Sequence, residues 1–304
     1  MILTLVRNRH WFSGRLRPEL VDETFSVEKF RARIDRASAR MKLPADISAE
    51  KFLLEGMPAE WIIPQNPLRG KVLLYIHGGG FISGSCLTHR MHVAKFAKGC
   101  GMKSLVFDYR LAPEHPFPAA PDDCVTAYKW LLEQGYRPKD IVVGGESAGA
   151  TLTLSLLLSL KEKQIPLPAA AFSISPVTDL RCGADSFRYN AGNDVAPMGS
   201  WTTWTRMYIG AHDPVDPVLS PQFGNFEGVP PLYICVGTYE IHLDDCIAVA
   251  EIARKHGVKV TLCQWERMVH AFPLLAPLFP EASLALSEIC GFVMEHATGT
   301  TKSG

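Results

Sequence analysis

The most constraining stretch of this sequence runs from Ile141 to Gly149, where a strand-like apolar segment enters Gly-Glu-Ser-Ala-Gly and continues into a helix-like segment. The pattern G-x-S-x-G between a strand and a helix is typical of a sharp turn that presents a nucleophilic serine. So tight a turn brings backbone close to both flanking positions, which explains the glycines at 145 and 149. Ser147 is therefore predicted at the carboxyl edge of a sheet and at a helix N-terminus, where the dipole favours developing negative charge.

From about residue 71 onward the chain alternates strand-like and helix-like segments. This alternation is typical of parallel strands with helices on both faces, so we predict an α/β fold with a mostly parallel central sheet flanked by helices. The predicted strands are 71–76, 103–108, 141–144, 169–174, 232–236 and 258–265, and the predicted helices include 121–135, 147–163, 243–255 and 280–296.

Two regions interrupt the alternation, residues 1 to about 48 and 181 to about 220. The first is charge-rich and helical in character, and the second holds no convincing strand. The second also carries Trp201, Trp204 and Tyr208 at helical spacing, which fits either packing against the body or contact with a substrate. No linker or repeat separates the regions, so we predict one domain over residues 1–304, with helical cap elements at about 1–48 and 181–220.

A serine hydroxyl becomes a nucleophile when a histidine takes its proton and an acid orients that histidine. After this kind of serine turn, the acid and then the histidine follow in chain order. His270 comes shortly after the last predicted strand and is the candidate base. Glu240 lies in the loop after the preceding strand and is favoured as the acid. Asp244 and Asp245 fall in the first turn of the next helix, where the helix dipole is sufficient to explain acidic residues.

An early predicted strand ends in His77, which three glycines follow at 78–80. Serine attack on a carbonyl creates an oxyanion that needs backbone N–H donors about 3 Å away. Bare glycines let the backbone approach the oxyanion, so this loop and the N–H of Ala148 form the predicted oxyanion hole. Phosphate binding is disfavoured, because neither G-x-G-x-x-G nor a P-loop lysine occurs here.

These motifs together give the sequence a specific resemblance to one family. His-Gly-Gly-Gly-Phe at 77–81, Asp-Tyr-Arg-Leu-Ala-Pro-Glu at 108–114, Gly-Glu-Ser-Ala-Gly at 145–149 and the late His270 resemble the hormone-sensitive lipase family of carboxylesterases, on the α/β-hydrolase fold, over residues 60 to 295 approximately. The resemblance implies a serine carboxylesterase that hydrolyses short- to medium-chain acyl esters through an acyl-enzyme intermediate. It implies a catalytic Ser147, Glu240 and His270, oxyanion donors at Gly79, Gly80 and Ala148, and a His77 that braces its own loop.

The sequence departs from the common family pattern in two places. Glu240-Ile241-His242 stands where many members have Asp-Pro-Leu, and Glu146 stands where many have Asp. For Glu146, a structural salt bridge and an effect on the serine are both open. We interpret Asp108-Tyr109-Arg110 as a rigid turn with a local ion pair and assign it no catalytic task.

Two other functions share these motifs. An amidase or peptidase uses the same triad, and ester specificity follows from the resemblance alone. The family also resembles plant hormone receptors that bind ligands after losing the catalytic histidine, but His270 is present here.

Composition excludes some partners. Lys+Arg and Asp+Glu both total 31, so the net charge is +0 and there is no basic field for nucleic acid. No apolar segment is long enough to span a bilayer, and the start of the chain lacks a signal-peptide pattern. The eight cysteines are scattered without metal-ligand spacing, which predicts free thiols in a reducing, cytoplasmic compartment. We expect a small-molecule ester as substrate and neither a cofactor nor a metal, and we consider a homodimer as the assembly.

Overall fold

The computed structural model describes residues 25–195 and 198–299. In that part of the chain, eight strands form one sheet in the order β1-β2-β4-β3-β5-β6-β7-β8. Strands β3 to β8 pair in parallel, whereas β2 is antiparallel to both β1 and β4. The strands are β1 (Ile47–Leu54), β2 (Met57–Pro64), β3 (Val72–Ile76), β4 (Lys103–Phe107), β5 (Ile141–Glu146), β6 (Ala170–Ile174), β7 (Leu232–Gly237) and β8 (Val260–Trp265). The mostly parallel sheet that the alternation predicts is confirmed.

Helices cover both faces of the sheet, and each face has its own apolar core. Helices α2 and α8 pack on one face, and α3, α4 and α7 pack on the other. The side chains of β3 alternate between these two cores, which is why this strand is apolar at every position. The described helices are α1 (Val27–Ser38), α2 (Cys86–Cys100), α3 (Ala119–Glu133), α4 (Ala148–Glu162), α5 (Ser186–Tyr189), α6 (Met198–Ile209), α7 (Leu243–Lys255) and α8 (Pro280–Thr298).

The hairpin of β1 and β2 is absent from the predicted strands. Its sequence does not show the apolar run of a central strand, because β1 is largely exposed at the edge of the sheet. In β2 the pattern is broken by Glu60, which is buried and accepts a hydrogen bond from Arg90 of α2 at 2.6 Å. In the sequence alone, a charged residue interrupts the apolar pattern of a strand, because its ion-pair partner elsewhere in the chain is not apparent.

The two expected cap regions are partly described. Of the first, residues 1–24 lie outside the described residues, α1 follows, and β1 already begins at Ile47. Residues 181–195 and 198–220 contain α5, α6 and turns but no strand. The division into a body and a cap stays a prediction.

All eight cysteines lie in the described part of the chain and are free thiols, as predicted. Among the helices of residues 25–195 and 198–299, none combines the length and apolarity needed to cross a membrane.

Candidate active site

Ser147 occupies the tight turn between β5 and α4. Its backbone has φ 57° and ψ −126°, a strained conformation of the kind that clusters at functional sites. A Cβ at Gly145 would lie 2.2 Å from the carbonyl oxygen of Ile76, and one at Gly149 would lie 2.1 Å from the same atom. The N–H of Ser147 donates to the carbonyl of Ile174 at 2.8 Å, which fixes the turn on β6. The sequence argument for glycine on both sides of the serine therefore holds.

His270 and Glu240 meet at the same edge of the sheet. His270 follows β8 and Glu240 follows β7, and the Nδ1 of His270 lies 3.3 Å from Oε2 of Glu240. The carboxylate is fully buried, and its other oxygen accepts hydrogen bonds from the Ser175 hydroxyl at 2.9 Å and the Gly237 N–H at 2.6 Å. Glu240 is thus held in one orientation, with one oxygen free to orient the histidine.

The two partners perturb each other's ionisation. Burial raises the pKa of Glu240, although its hydrogen bond to His270 opposes this. Burial alone would lower the pKa of His270, but the hydrogen bond and negative charge of Glu240 outweigh it and raise the pKa above 6.5. The pair therefore favours the imidazolium that a general base must become during attack.

The alternative acids bind other partners. Asp244 accepts hydrogen bonds from the N–H of Ser186 at 2.8 Å and the hydroxyl of Tyr189 at 2.9 Å, both in α5. Asp245 accepts from the N–H groups of Thr178 at 2.7 Å and Asp179 at 3.0 Å. Both carboxylates lie in the first turn of α7, as predicted, and they anchor neighbouring segments.

Two polar residues that the sequence analysis missed support this pair. Asp194 accepts from the N–H of His270 at 3.0 Å and from the N–H of Ile241 at 2.9 Å, so it ties the acid loop to the histidine loop. The hydroxyl of Ser175 accepts from the N–H of Ala271 at 3.1 Å while it donates to Glu240. Ser175 follows β6 at the carboxyl edge, which is a usable signal, whereas nothing in the sequence around Asp194 points to the site.

The glycine loop after β3 has the conformation that only glycine adopts easily. Gly79 has φ +119° and Gly80 has φ +65°. A Cβ at Gly79 would lie 2.2 Å from the carbonyl oxygen of Ser83. His77 donates through Nδ1 to the carbonyl of Gly78 at 2.8 Å, and its ring stacks on Tyr109 at 4.2 Å. This arrangement matches the bracing role that the resemblance implies for His77.

The segment 108–114 reaches further than the local ion pair that we expected. Arg110 pairs with Asp123 of α3 at 2.7 Å, and Glu114 pairs with Arg31 of α1 at 2.8 Å. The hydroxyl of Tyr109 donates to the carbonyl of His77 at 2.8 Å. The segment therefore links the glycine loop to two helices, which sequence spacing alone does not indicate.

Aromatic rings of α6 pack over the site. The Trp201 ring centroid lies 4.4 Å from that of His242 and 6.0 Å from that of His270. Trp204 packs on Gly80, where an added Cβ would lie 2.5 Å from the indole ring. Packing against the body is confirmed for these rings, because they are buried, whereas contact with a substrate stays a prediction.

One group in the described residues brings metal-ligating atoms together. Glu240, His242 and His270 each place one such atom within 4.8 Å of the others. Glu240 and His270 are already bonded to each other, and the His242 ring packs edge-to-face against Trp201 and His270. We therefore describe the group as an acid–base pair with a neighbouring ring, and the expected absence of a metal stays a prediction.

Comparison with known proteins identifies the family. A family model described as an alpha/beta hydrolase fold matches residues 73–274. The chain belongs to this family. An acetyl-hydrolase of Streptomyces hygroscopicus is 39% identical over 242 residues, which cover 79% of this chain and 80% of that protein.

Superposition on solved structures supports the same family assignment. The crystal structure of EstE5 soaked with p-nitrophenyl butyrate superposes with a TM-score of 0.90 and 36% identity, covering 97% of this chain and 98% of that chain. A hormone-sensitive lipase from a metagenome library superposes with a TM-score of 0.91 and 30% identity, covering 98% and 99%. The resemblance to hormone-sensitive lipases is confirmed, and the chain is a carboxylic ester hydrolase of the α/β-hydrolase fold.

Proposed function

We propose that this chain is a serine carboxylesterase that hydrolyses short- to medium-chain acyl esters through an acyl-enzyme intermediate. The observation that carries the proposal is the pairing of a buried, oriented Glu240 with His270 at the sheet edge where the strained Ser147 turn lies. Nε2 of His270 takes the proton of the Ser147 hydroxyl as Oγ bonds to the ester carbonyl carbon. The N–H groups of Gly79, Gly80 and Ala148 stabilise the resulting oxyanion.

The second half of the reaction uses the same groups. When the tetrahedral intermediate collapses, the ester C–O bond breaks, and His270 gives its proton to the leaving alcohol. A water molecule then attacks the acyl-enzyme, His270 takes one of its protons, and the carboxylic acid leaves as the proton returns to Ser147. The raised pKa of His270 reflects the stabilisation of its protonated ring by Glu240, and each tetrahedral intermediate contains this protonated ring.

Aromatic side chains of α6 pack over the glycine loop, and this packing supports a preference for esters with small acyl groups. Trp204 lies directly against Gly80, a candidate oxyanion donor, and Phe81 stacks on Tyr208 of the same helix at 4.0 Å. Rings packed this close to the reacting centre limit the room for a long chain. The similarity to an acetyl-hydrolase and to EstE5, which was soaked with p-nitrophenyl butyrate, supports this substrate class.

Covalent labelling tests the mechanism. A fluorophosphonate should modify Ser147 and abolish turnover of p-nitrophenyl butyrate, and peptide mass spectrometry locates the adduct. Ser147→Ala should be neither labelled nor active, whereas Ser159→Ala, which alters a buried serine on the same helix, should retain both properties. Activity that survives in Ser147→Ala, or a label on another residue, would refute the proposal.

The substrate class needs a separate measurement. A series of p-nitrophenyl esters from acetate to palmitate should show the highest kcat/KM at the short end, and the p-nitroanilide of the best acyl group should be hydrolysed far more slowly. Equal turnover of ester and anilide would favour the amidase function.

We also propose the cytoplasm as the compartment, and the free thiols support this. A homodimer stays an untested expectation.

A further inference from the structure

Glu146, the residue before Ser147, is a buried carboxylate that the proposed mechanism does not use. Its Oε1 accepts a hydrogen bond from the N–H of Gly78 at 2.7 Å and lies 2.9 Å from Nε2 of His89. Its Oε2 accepts a hydrogen bond from the hydroxyl of Tyr75. Since the carboxylate only accepts, Nε2 of His89 must carry a proton to bond it. Three donors from three different elements therefore converge on one side chain.

The hydrogen bond between Gly78 and Glu146 connects the two segments that must be aligned to bind the oxyanion. Gly78 is the first glycine of the loop that carries the candidate donors Gly79 and Gly80. Glu146 itself ends β5, two residues before the third candidate donor, Ala148. The carboxylate thus joins the two halves of the oxyanion hole, which are far apart along the chain.

The contact between these two halves is close. A Cβ at Gly78 would lie 2.7 Å from the carbonyl oxygen of Glu146, 2.9 Å from its Oε1 and 3.1 Å from Cβ of Ser147. The glycine loop therefore lies directly against the serine turn, and a small movement of the loop changes the position of its N–H groups relative to the serine. A hydrogen bond at this point controls a distance on which oxyanion stabilisation depends.

The carboxylate is held in its ionised form. Burial alone would raise the pKa of Glu146, but the charge and hydrogen bond of His89 and the hydrogen bonds from Tyr75 and Gly78 outweigh it and lower the pKa. A charged acceptor makes shorter and stronger hydrogen bonds than a neutral one. His89 lies in the first turn of α2, and its ring stacks on that of His77 at 5.0 Å, so it supports the loop from the other side as well.

We propose that Glu146 is a positioning residue for ester hydrolysis: its carboxylate holds Gly78 so that the N–H groups of Gly79 and Gly80 are aligned with Ser147 and Ala148. In this proposal, the contact with His89 and the influence on the serine site are parts of one arrangement. The extra methylene relative to aspartate gives the carboxylate the reach to bond Tyr75, Gly78 and His89 together. The proposal rests on the proposed function of the site.

The test is Glu146→Gln, which keeps the shape but puts an NH₂ group where one of the three donors needs an acceptor. We expect kcat for p-nitrophenyl butyrate to fall about 10- to 100-fold, below the loss for removing a whole oxyanion donor, while KM changes less than about threefold. The Ki of a trifluoromethyl ketone, which forms a tetrahedral oxyanion adduct with serine, should rise in the same proportion as kcat falls. Glu146→Asp, which keeps the charge, should lie between the parent and Glu146→Gln.

The ion pair between Glu60 of β2 and Arg90 of α2 provides a matched control. Glu60→Gln makes the same change in another buried carboxylate, whose partner is Arg90, next to His89 in the sequence. It should lower the thermal unfolding temperature and leave kcat and the ketone Ki within about threefold of the parent, as expected for a change that affects stability alone.

Each result bears on the proposal. A Glu146→Gln protein that is folded at the assay temperature and keeps the parental kcat would overturn it. So would a loss of kcat without a matching loss of ketone affinity. If this variant does not fold, Tyr75→Phe and His89→Gln take its place, each removing one donor, and parental kcat in both would overturn the proposal. Failure of the proposed function gives a different result, since the parent itself would then not be labelled at Ser147.

Discussion

Replacing Glu240 by glutamine tests the acid of the candidate triad, the assignment for which the sequence leaves the most alternatives. The glutamine Oε1 can keep the hydrogen bonds from Ser175 and Gly237, so the side chain stays in place. Its NH₂ group then faces Nδ1 of His270, 3.3 Å away in the parent. An amide donor at that position favours the tautomer with the proton on Nε2, which cannot accept the serine proton.

The magnitude follows from this reversal of hydrogen-bond polarity. The imidazolium that forms during attack loses its carboxylate partner, and the free histidine is held in the wrong tautomer. We expect kcat to fall by about 10³ to 10⁴, equivalent to about 4 to 5.5 kcal/mol of transition-state stabilisation. The free energy of unfolding should change far less, because two of the three bonds of the side chain remain.

The assay is steady-state hydrolysis of p-nitrophenyl butyrate, with urea unfolding measured on the same samples. Asp245→Asn is the matched control, because it makes the same change in a nearby buried carboxylate that bonds Thr178 and Asp179. Its kcat should stay within a few-fold of the parent. If Asp245→Asn proved the severe variant and Glu240→Gln the mild one, the assignment of the acid would be wrong.

Three further results are expected. The acidic limb of the pH profile of kcat/KM should lie above pH 6.5, because Glu240 raises the pKa of His270, and should move to lower pH in Glu240→Gln; a limb at the same pH in both proteins would contradict this. Trp204→Ala should raise kcat/KM for decanoate relative to acetate esters by about tenfold, since it removes the ring over Gly80; an unchanged ratio would place the acyl chain elsewhere. Burial raises the pKa of Asp245 from 3.8 to about 7, so the parent should lose unfolding free energy as pH rises from about 4 to about 7. Asp245→Asn should lack this loss, and parallel urea titrations at the two ends of this pH range decide the point.

The parts of this protein that were predictable from sequence are those encoded by local patterns. Strands β3 to β8 are short apolar runs between helical segments, and all six end within two residues of the positions expected from the sequence. The turn at Ser147 was predictable because its glycines have one physical cause, a backbone too close for a Cβ. The places of Glu240 and His270 after two neighbouring strands follow from chain order, whereas their catalytic roles stay a prediction. All of this information lies within a few residues of each feature.

The parts that were not predictable depend on partners distant in the chain. Asp194 lies in a segment without strand pattern, and it contributes by accepting the N–H of His270, 76 residues later. Arg31 of α1 donates to the carbonyl of Ile82 at 2.6 Å, beside the glycine loop, although 51 residues separate them. The hydrophobic pattern of the sequence cannot reveal such pairs, because neither residue changes the pattern of its own segment.

Glu146 is predictable in part from its local sequence and depends in part on residues distant in the chain. Its position before the nucleophile is read directly from the sequence, but its bond to Gly78 spans 68 residues and its chemical meaning depends on Tyr75 and His89. A buried carboxylate without donors would be strongly destabilising, so a glutamate at the end of a fully buried strand implies that donors exist. That implication could have been drawn from the sequence alone. The identity of the donors could not, and it is their identity, a glycine of the oxyanion loop among them, that connects this residue to the reaction.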